Sequence, residues 1–197
     1  TRYHSRAASL LPAAEAILAL YHSRGGKYIA YFPSFAYLRS MEPVLRELDP
    51  DLPLIVQKPG MDEASRNLFL DAFVQGESRL LGLCVLGGVF AEGVDLPGEA
   101  LIGAMVVGVG LPQVNPERER IRERLQEALG DGFGHAYRFP GMQKVLQAAG
   151  RLIRSERDRG VLLLMDDRYA QEAYSGLLPS HLKLKRVYSK EEITSLA

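Results

Sequence analysis

Short apolar runs alternate with helix-like segments along the whole chain. Five runs are rich in Val, Ile, Leu and Tyr, are bounded by Gly or Pro, and predict buried strands at 27–33, 53–57, 79–88, 101–110 and 160–167. A more polar run at 183–188 predicts a last, edge strand. Helical patterns predict helices at 12–23, 34–47, 61–75, 116–129, 141–156 and 167–177. This alternation predicts one α/β domain with a mainly parallel sheet and helices on both faces.

The composition narrows the class of protein only a little. Of the 197 residues, 47% are hydrophobic and 24% are charged, as in ordinary soluble proteins, and the net charge is zero. A neutral balance neither requires nor excludes a nucleic-acid partner. The one cysteine, Cys84, allows neither an intrachain disulfide nor a zinc site and fits a cytoplasmic protein. No apolar run approaches the roughly 20 residues of a membrane span. No signal peptide or initiating Met opens the sequence, so we expect a piece of a longer protein.

The stretch YFPSF (31–35) lies where the first predicted strand meets its helix. Functional residues in parallel sheets collect at the carboxyl ends of the strands. Ser34 is placed to begin the helix, and helix N-termini bind phosphates through their free N–H groups. Phe35 and Tyr37, beyond the strand end, are candidates for stacking on bases. The alternative is that Ser34 only caps the helix.

The stretch GGVFAEGVDLPGE (87–99) follows the third predicted strand. Four glycines leave room for a ligand to approach the backbone: Gly87, Gly88, Gly93 and Gly98. Glu92 and Asp95 could accept hydrogen bonds from ribose hydroxyls or orient an arginine. The alternative is a glycine-rich connection with solvated acids.

The stretch QAAGRLIRSERDRG (147–160) predicts the end of an amphipathic helix. Gln147, Gly150, Arg151 and Arg154 would share one face of that helix. Arginine forks match phosphate oxygens, and two of them one turn apart can stabilise a transferring γ-phosphoryl group. Glycine inside a helix costs about 1 kcal/mol relative to alanine, which indicates a close approach at Gly150. The alternative is a solvated basic face that pairs with Glu156 and Asp158.

Together these stretches resemble motifs IV, V and VI in the second RecA-like domain of superfamily-two helicases, with Q-x-x-G-R-x-x-R as motif VI. They are most similar to the DinG- and XPD-like DNA helicases, as is the tail GVLLLMDDRY (160–169) with its Asp-x-Arg-Tyr ending. The resemblance covers essentially the whole chain. It implies a RecA-like three-layer sandwich that forms the second motor domain over residues 1–197.

The resemblance also implies roles for individual residues. Arg154 would be the main arginine finger, with Arg151 beside it on the γ-phosphate of ATP bound to the first domain. Asp166 and Asp167 would be structural partners of Arg168 or of neighbouring arginines. The remaining nucleotide-facing positions would be Gln147, Gly150, Glu92, Gly93 and Asp95. The positions nearest the DNA would be Ser34, Phe35, Gly87 and Gly88.

Several helicase features are absent from this sequence. It has no G-x-x-x-x-G-K-[ST] loop for phosphates, no D-E-x-H box for magnesium, and too few cysteines for an iron–sulfur cluster. The family carries these in the first domain, so we expect ATP and Mg²⁺ to bind mainly there, with no metal site in this chain. The resemblance implies two partners, single-stranded DNA and the first helicase domain of the same polypeptide, and no membrane partner. It also implies that the motor moves 5′ to 3′ along the DNA.

Two other functions stay open from the residues alone. One is a stand-alone RecA-like module that senses a nucleotide or binds a protein without catalysis. The other is a small α/β transferase that uses the loop 87–98, for which only Glu92 and Asp95 could serve as the base. As half of a motor, the chain should not hydrolyse ATP alone, because an arginine finger needs a triphosphate presented to it.

Overall fold

The sheet of this chain is parallel throughout its described part. A computed structural model describes residues 6–92, 101–152, 160–182 and 184–196, apart from the side chains of Arg6 and Glu92. Within these residues, five strands form one sheet in the order β2-β3-β1-β4-β5, and each neighbouring pair is parallel. The strands are β1 Lys27–Phe32, β2 Leu54–Val56, β3 Leu80–Val85, β4 Gly103–Val107 and β5 Val161–Met165. The five predicted buried strands are confirmed, with shorter bounds.

Helices connect the strands and cover the sheet. The α-helices of the described residues are α1 Arg6–Ser23, α2 Phe35–Leu48, α3 Glu63–Val74, α4 Val89–Glu92, α5 Pro116–Leu129, α6 Phe139–Ala149, α7 Glu172–Ser175 and α8 Lys190–Thr194. A π-helical turn, Gly134–Arg138, precedes α6, and a 3₁₀ turn, Asp167–Ala170, follows β5. Sequence patterns did not predict α4 and α8, because four or five residues are too few to show a helical period.

Alternate residues of each strand face opposite cores. Tyr28, Ala30 and Phe32 of β1 pack with α1 and α2, whereas Ile29 and Tyr31 pack with side chains of α3, α4 and α6. This alternation follows from the two-residue repeat of a strand. Since both faces are buried, the strands read as nearly continuous apolar runs. The result is the predicted α/β arrangement, with helices on both faces of the sheet.

Side-chain caps explain where two of the helices begin. Ser34 Oγ accepts a hydrogen bond from the Tyr37 N–H at 3.2 Å, at the start of α2. Asn115 Oδ1 accepts one from the Arg118 N–H at 2.8 Å, and Pro116 occupies the first turn of α5. Each cap satisfies a backbone donor that the first helical turn leaves without a partner. The capping interpretation of Ser34 is confirmed, and Asn115 caps α5 in the same way.

The predicted edge strand at 183–188 is wrong over residues 184–188, and residue 183 lies outside the described residues. Val187 packs on the core beside α1, but the residues on both sides of it are exposed, so the alternating burial of a strand is lost. A cavity of about 920 Å³ lies among this segment, α1 and β5. The alternation of charged and apolar residues in this segment therefore does not indicate a strand.

The helix predicted at 141–156 is wrong over residues 150–152, and residues 153–156 lie outside the described residues. The helix α6 begins at Phe139 and ends at Ala149, and Gly150 is its C-cap. The N–H groups of Arg151 and Leu152 bond to carbonyls three residues earlier, at 3.2 and 3.0 Å, which tightens the chain into a turn. Glycine is a poor helix former, so Gly150 is a natural stop. The predicted helix at 167–177 is likewise divided at Gln171 into the 3₁₀ turn and α7.

Two contacts fix the chain where it leaves β5. The carboxylate of Asp166 is fully buried and accepts hydrogen bonds from Arg168 Nε at 2.7 Å and from a terminal nitrogen of the same guanidinium at 2.9 Å. The hydrogen bonds that Arg168 donates to Asp166 raise the pKa of Arg168 above its ordinary value. The Tyr169 hydroxyl donates to the Gly108 carbonyl at 2.8 Å. The expected pairing of Asp166 with Arg168 is therefore present, and β4 and β5 are joined beyond their ends.

The Asp166–Arg168 pair should matter to stability. In Arg168→Met the buried carboxylate loses both side-chain hydrogen bonds, so we expect the free energy of unfolding to fall by about 3 kcal/mol. The measurement is urea unfolding followed by circular dichroism. The matched control is Arg46→Met, which breaks an exposed pair with Glu42 and should cost less than about 1 kcal/mol. Equal small effects of the two substitutions would contradict this account.

The buried Tyr169 hydroxyl gives a second stability test. Tyr169→Phe removes one buried hydrogen bond and no apolar contact, so we expect a loss of about 1 kcal/mol in the free energy of unfolding. Tyr188→Phe is the control, because the Tyr188 side chain is 83% exposed and should be neutral. A Tyr169→Phe variant as stable as the parent chain would show that the bond to Gly108 contributes nothing.

Candidate functional site

The exits of β1 and β3 lie side by side at the carboxyl edge of the sheet. The two strands are parallel neighbours with Phe32 opposite Val85, and the Leu86 N–H donates to the Phe32 carbonyl at 2.8 Å. This bond continues the pairing one residue beyond β3. It brings Ser34, after β1, into the neighbourhood of Gly87, after β3. The structure therefore places the first two predicted stretches at one edge.

The YFPSF stretch contributes a cap and one partly exposed ring. Ser34 and Phe35 are both half-buried, at the first turn of α2. Tyr37 is 3% exposed and stacks on Phe32 with ring centroids 5.9 Å apart. The prediction that Tyr37 stacks on bases is therefore wrong, because its ring belongs to the core. Phe35 keeps the exposure that such a contact needs.

Glycine is required at position 87 by the backbone. Gly87 has φ +70°, in the left-handed region that side chains disfavour. A Cβ at this position would also lie 2.9 Å from Lys144 Cδ on α6. Both Gly87 and Gly88 are half-buried, and they lead directly into α4. The side chain of Glu92 and the whole of Gly93 and Asp95 lie outside the described residues, so their predicted roles remain predictions.

Two hydrogen bonds, one buried and one partly buried, hold α4 in place. The Tyr31 hydroxyl donates to the Phe90 carbonyl at 3.3 Å, and Arg151 Nε donates to the Ala91 carbonyl at 3.1 Å. Burial raises the pKa of the Tyr31 phenol, while the Arg151 guanidinium acts in the opposite direction. Thus β1 and the turn after α6 both bind the same short helix. This arrangement joins the second predicted stretch to the third.

The third stretch is only partly as predicted. Gln147 is half-buried on the last turn of α6, but Gly150 and Arg151 follow the helix instead of sharing its face. Gly150 is exposed, and an added Cβ would meet only the carbonyls of Leu146 at 3.3 Å and Gln147 at 3.6 Å. Within the described residues no protein contact therefore requires glycine here, and the place of Gly150 beside a nucleotide stays a prediction. Arg154 lies outside them.

Sequence reasoning missed two side chains at this edge, Gln57 and Lys144. They flank the Gly87–Gly88 pair, Gln57 from the end of β2 and Lys144 from α6. Among the described residues, Gln57 is the one polar or charged residue that is buried as a whole, at 6% exposed. For Gln57 the only sequence signal is a polar residue at the carboxyl end of the apolar run 53–57.

The charge of this edge suits an anion. Residues 139–152 include Lys144 and Arg151 and contain no acidic residue. Lysine and arginine side chains donate hydrogen bonds and carry charge that phosphate oxygens accept. Asp166 follows β5, and its carboxylate is fully buried. It is already bound to Arg168. The donor set therefore fits phosphate groups better than metal ions.

The described residues contain neither a cluster of metal ligands nor a membrane-spanning helix. Over the ranges 6–92, 101–152, 160–182 and 184–196, no three His, Cys, Asp or Glu side chains cluster closely enough to hold a metal ion. No helix in the same ranges has the length and apolar character to cross a membrane.

Comparisons with known proteins agree with the motifs. Residues 17–185 match the family described as the helicase C-terminal domain. The chain is 31% identical over 168 residues to the probable ATP-dependent helicase MJ0942 of Methanocaldococcus jannaschii, covering 78% of this chain and 25% of that protein. It is 35% identical over 103 residues to the ATP-dependent DNA helicase DinG of Photobacterium profundum, covering 51% and 15%. The chain thus spans a quarter or less of these relatives.

A solved structure supports the fold. An XPD helicase matches with a TM-score of 0.66 and 19% identity, over 83% of this chain and 29% of that chain. At this identity the likeness concerns the fold alone, and it confirms the expected RecA-like α/β architecture. Motif pattern, family match and fold agree: the chain belongs to the helicase C-terminal domain family and is similar to its DinG- and XPD-like members.

Proposed function

We propose that residues 1–197 form the second motor half of an ATP-dependent DNA helicase. The observation that carries this proposal is the bond from Arg151 Nε to the Ala91 carbonyl. This bond joins the turn at residues 150–152 after α6 (the arginine turn) to the stretch 87–99 (the glycine-rich segment). A motor half needs such a tie, because it must connect a nucleotide site to a nucleic-acid site. Relatives that are named ATP-dependent DNA helicases add support.

In this proposal the arginines act on a nucleotide held by another domain. Arg154, with Arg151 beside it, completes the ATP site of the first helicase domain of the same polypeptide. ATP with its Mg²⁺ supplies the phosphoryl group whose transfer drives the motor. An arginine finger stabilises the charge that develops in such a transfer and contributes about 10³- to 10⁵-fold in rate. The other nucleotide-facing positions are Gln147, Gly150, Glu92, Gly93 and Asp95.

Magnesium fits this chain less well than phosphate does. Mg²⁺ prefers carboxylate oxygens and bound water, whereas Lys144 and Arg151 are cations. Asp166 has its two oxygens engaged by Arg168. We therefore assign Mg²⁺ mainly to the first domain, together with the phosphates of ATP.

Single-stranded DNA is the second proposed ligand, and the motor would move along it 5′ to 3′. It would cross the adjacent exits of β1 and β3, at Ser34, Phe35, Gly87 and Gly88. The half-buried ring of Phe35 offers a face for a base, and base stacking on aromatic rings tolerates any sequence. The free N–H groups at the start of α2 suit a backbone phosphate.

The proposal predicts that this chain takes part in ATP hydrolysis only together with the first helicase domain. The 197-residue chain alone, with or without single-stranded DNA, should show no ATP turnover, because it has no loop that presents the triphosphate. Addition of the first helicase domain should restore DNA-stimulated turnover. The measurement is phosphate release at saturating ATP. Turnover by the chain alone would overturn the proposal, and a silent mixture that does assemble would favour a non-catalytic module.

The arginines give a sharper test within the two-domain protein. Arg154→Ala and Arg151→Ala should each lower kcat for ATP hydrolysis by about 10³-fold, with a smaller change in KM. Arg46→Ala, an exposed arginine of α2, is the control for loss of one positive charge. Because Arg151 also contacts Ala91, thermal unfolding of its variant is measured in parallel. An Arg154→Ala variant with near-parental kcat would contradict the finger assignment.

A further inference from the structure

The amide group of Gln57 has a fixed orientation and one unused end. Its Oε1 accepts a hydrogen bond from the Val85 N–H at 2.8 Å, which only an oxygen can do, so Nε2 occupies the other position. Nε2 lies 3.1 Å from where a Cβ of Gly88 would be. In the described part of the chain Nε2 makes no hydrogen bond, and this atom, unlike the rest of the side chain, is not shut off from solvent. The N–H₂ group is therefore a donor of fixed orientation that a ligand can approach.

Lys144 approaches the neighbouring glycine from the other side. Its Cδ and Cε lie 2.9 and 3.0 Å from where a Cβ of Gly87 would be, and its Nζ lies 3.4 Å from the same point. The aliphatic stem therefore covers the Gly87 backbone and holds the ammonium group beside it. The side chain is half-buried, and no described carboxylate lies within ion-pair distance of it. The ammonium group is therefore available to a negatively charged ligand.

Both groups donate and neither accepts, which selects the chemistry of the ligand. An ammonium and an amide N–H₂ around two glycines, one of them at φ +70°, favour an anion and repel a cation. The Lys144 stem and the Gln57 amide occupy the sides of Gly87 and Gly88 where a Cβ would lie, so the two glycines allow both donors to pack against the backbone. The ligand chemistry that this surface fits is a phosphate group with at least two free oxygens.

The position separates this surface from the arginine turn. Lys144 lies five residues before the end of α6, roughly 8 Å along the helix axis. Gly87 and Gly88 precede α4, whereas Arg151 contacts Ala91 near its end. A phosphate bound at Gly87–Gly88 would therefore occupy a different position from a phosphate bound at Arg151. The exit of β1, with Ser34, lies on the neighbouring strand, so the surface continues toward the proposed nucleic-acid path.

We propose that Lys144 Nζ and Gln57 Nε2 together bind one backbone phosphodiester of single-stranded DNA above the Gly87–Gly88 pair. This inference rests on the proposed function and adds two phosphate-binding residues to it. The two side chains come from α6 and from the end of β2, and α6 is also the helix that leads to the arginine turn. A phosphate held there contacts both the entry to α4 and the helix that precedes Arg151.

The test uses the chain with an oligothymidylate of about ten nucleotides as the probe. ¹H–¹⁵N NMR titration should shift the backbone amides of Gly87 and Gly88 and the side-chain N–H₂ of Gln57. Lys144→Ala should weaken binding about fivefold and reduce the slope of log affinity against log salt by about 0.7, as expected for one lost phosphate contact. Gln57→Glu keeps an oxygen for the Val85 N–H but replaces the donor with a negative charge, and should weaken binding at least as much.

A matched control removes one lysine charge elsewhere. Lys190→Ala lies on α8, which packs on α1 at the opposite face of the sheet from α6, and it breaks only an exposed pair with Glu15. This variant should bind the oligothymidylate like the parent chain. The Val85 amide signal reports whether each variant keeps the fold around Gln57.

The outcomes separate this inference from the proposed function. If the oligothymidylate binds and shifts Ser34 and Phe35, but not Gly87, Gly88 or Gln57, the phosphate site is wrong and DNA binding stands. If ATP or inorganic phosphate shifts these three residues and the oligothymidylate does not, the site belongs to a nucleotide and the inference is also wrong. If the oligothymidylate shifts no signal at millimolar concentration, both the site and DNA binding by this chain are overturned.

Discussion

The fixed position of α4 is the constraint on which the rest of the site depends. This helix has four residues, too few to be stable alone. It is held by the Tyr31 hydroxyl from the centre of the sheet and by Arg151 from the turn after α6. Each bond uses a carbonyl that a helix end leaves without an internal partner. The start of the glycine-rich segment and the arginine turn therefore cannot move independently without breaking the partly buried bond between Arg151 and Ala91.

The parallel sheet makes this arrangement possible. Because all neighbouring strands run the same way, the exits of β1, β3 and β5 meet at one edge. The Asp166–Arg168 pair and the Tyr169–Gly108 bond fix the chain after β5, and the Leu86–Phe32 bond fixes the exit of β3. The edge is thus a set of short, anchored segments that present donors to solvent. Such pre-organisation suits the binding of phosphate groups, since little side-chain freedom remains to be lost.

The sequence predicted the large elements well and the local geometry less well. Buried strands and the caps at Ser34 and Asn115 follow from composition and local hydrogen bonding, so they could be recognised without a structure. The end of α6 could not, because the choice between a helix and a turn after Gly150 depends on where Leu152 finds its place in the core. The 184–188 segment failed for a similar reason, since only the tertiary packing of Val187 decides its path. Gln57 and Lys144 are far apart in sequence, and only the fold brings them to adjacent glycines.

The central claim is that this chain completes a nucleotide site on another domain. The most direct measurement is the association of the chain with the first helicase domain, followed by analytical ultracentrifugation with and without ADP–aluminium fluoride, a mimic of the transferring phosphoryl group. The account predicts that the mimic strengthens association by at least about tenfold and that Arg154→Ala removes this gain. Association that is equally strong without nucleotide, or a gain that Arg154→Ala leaves intact, would contradict it.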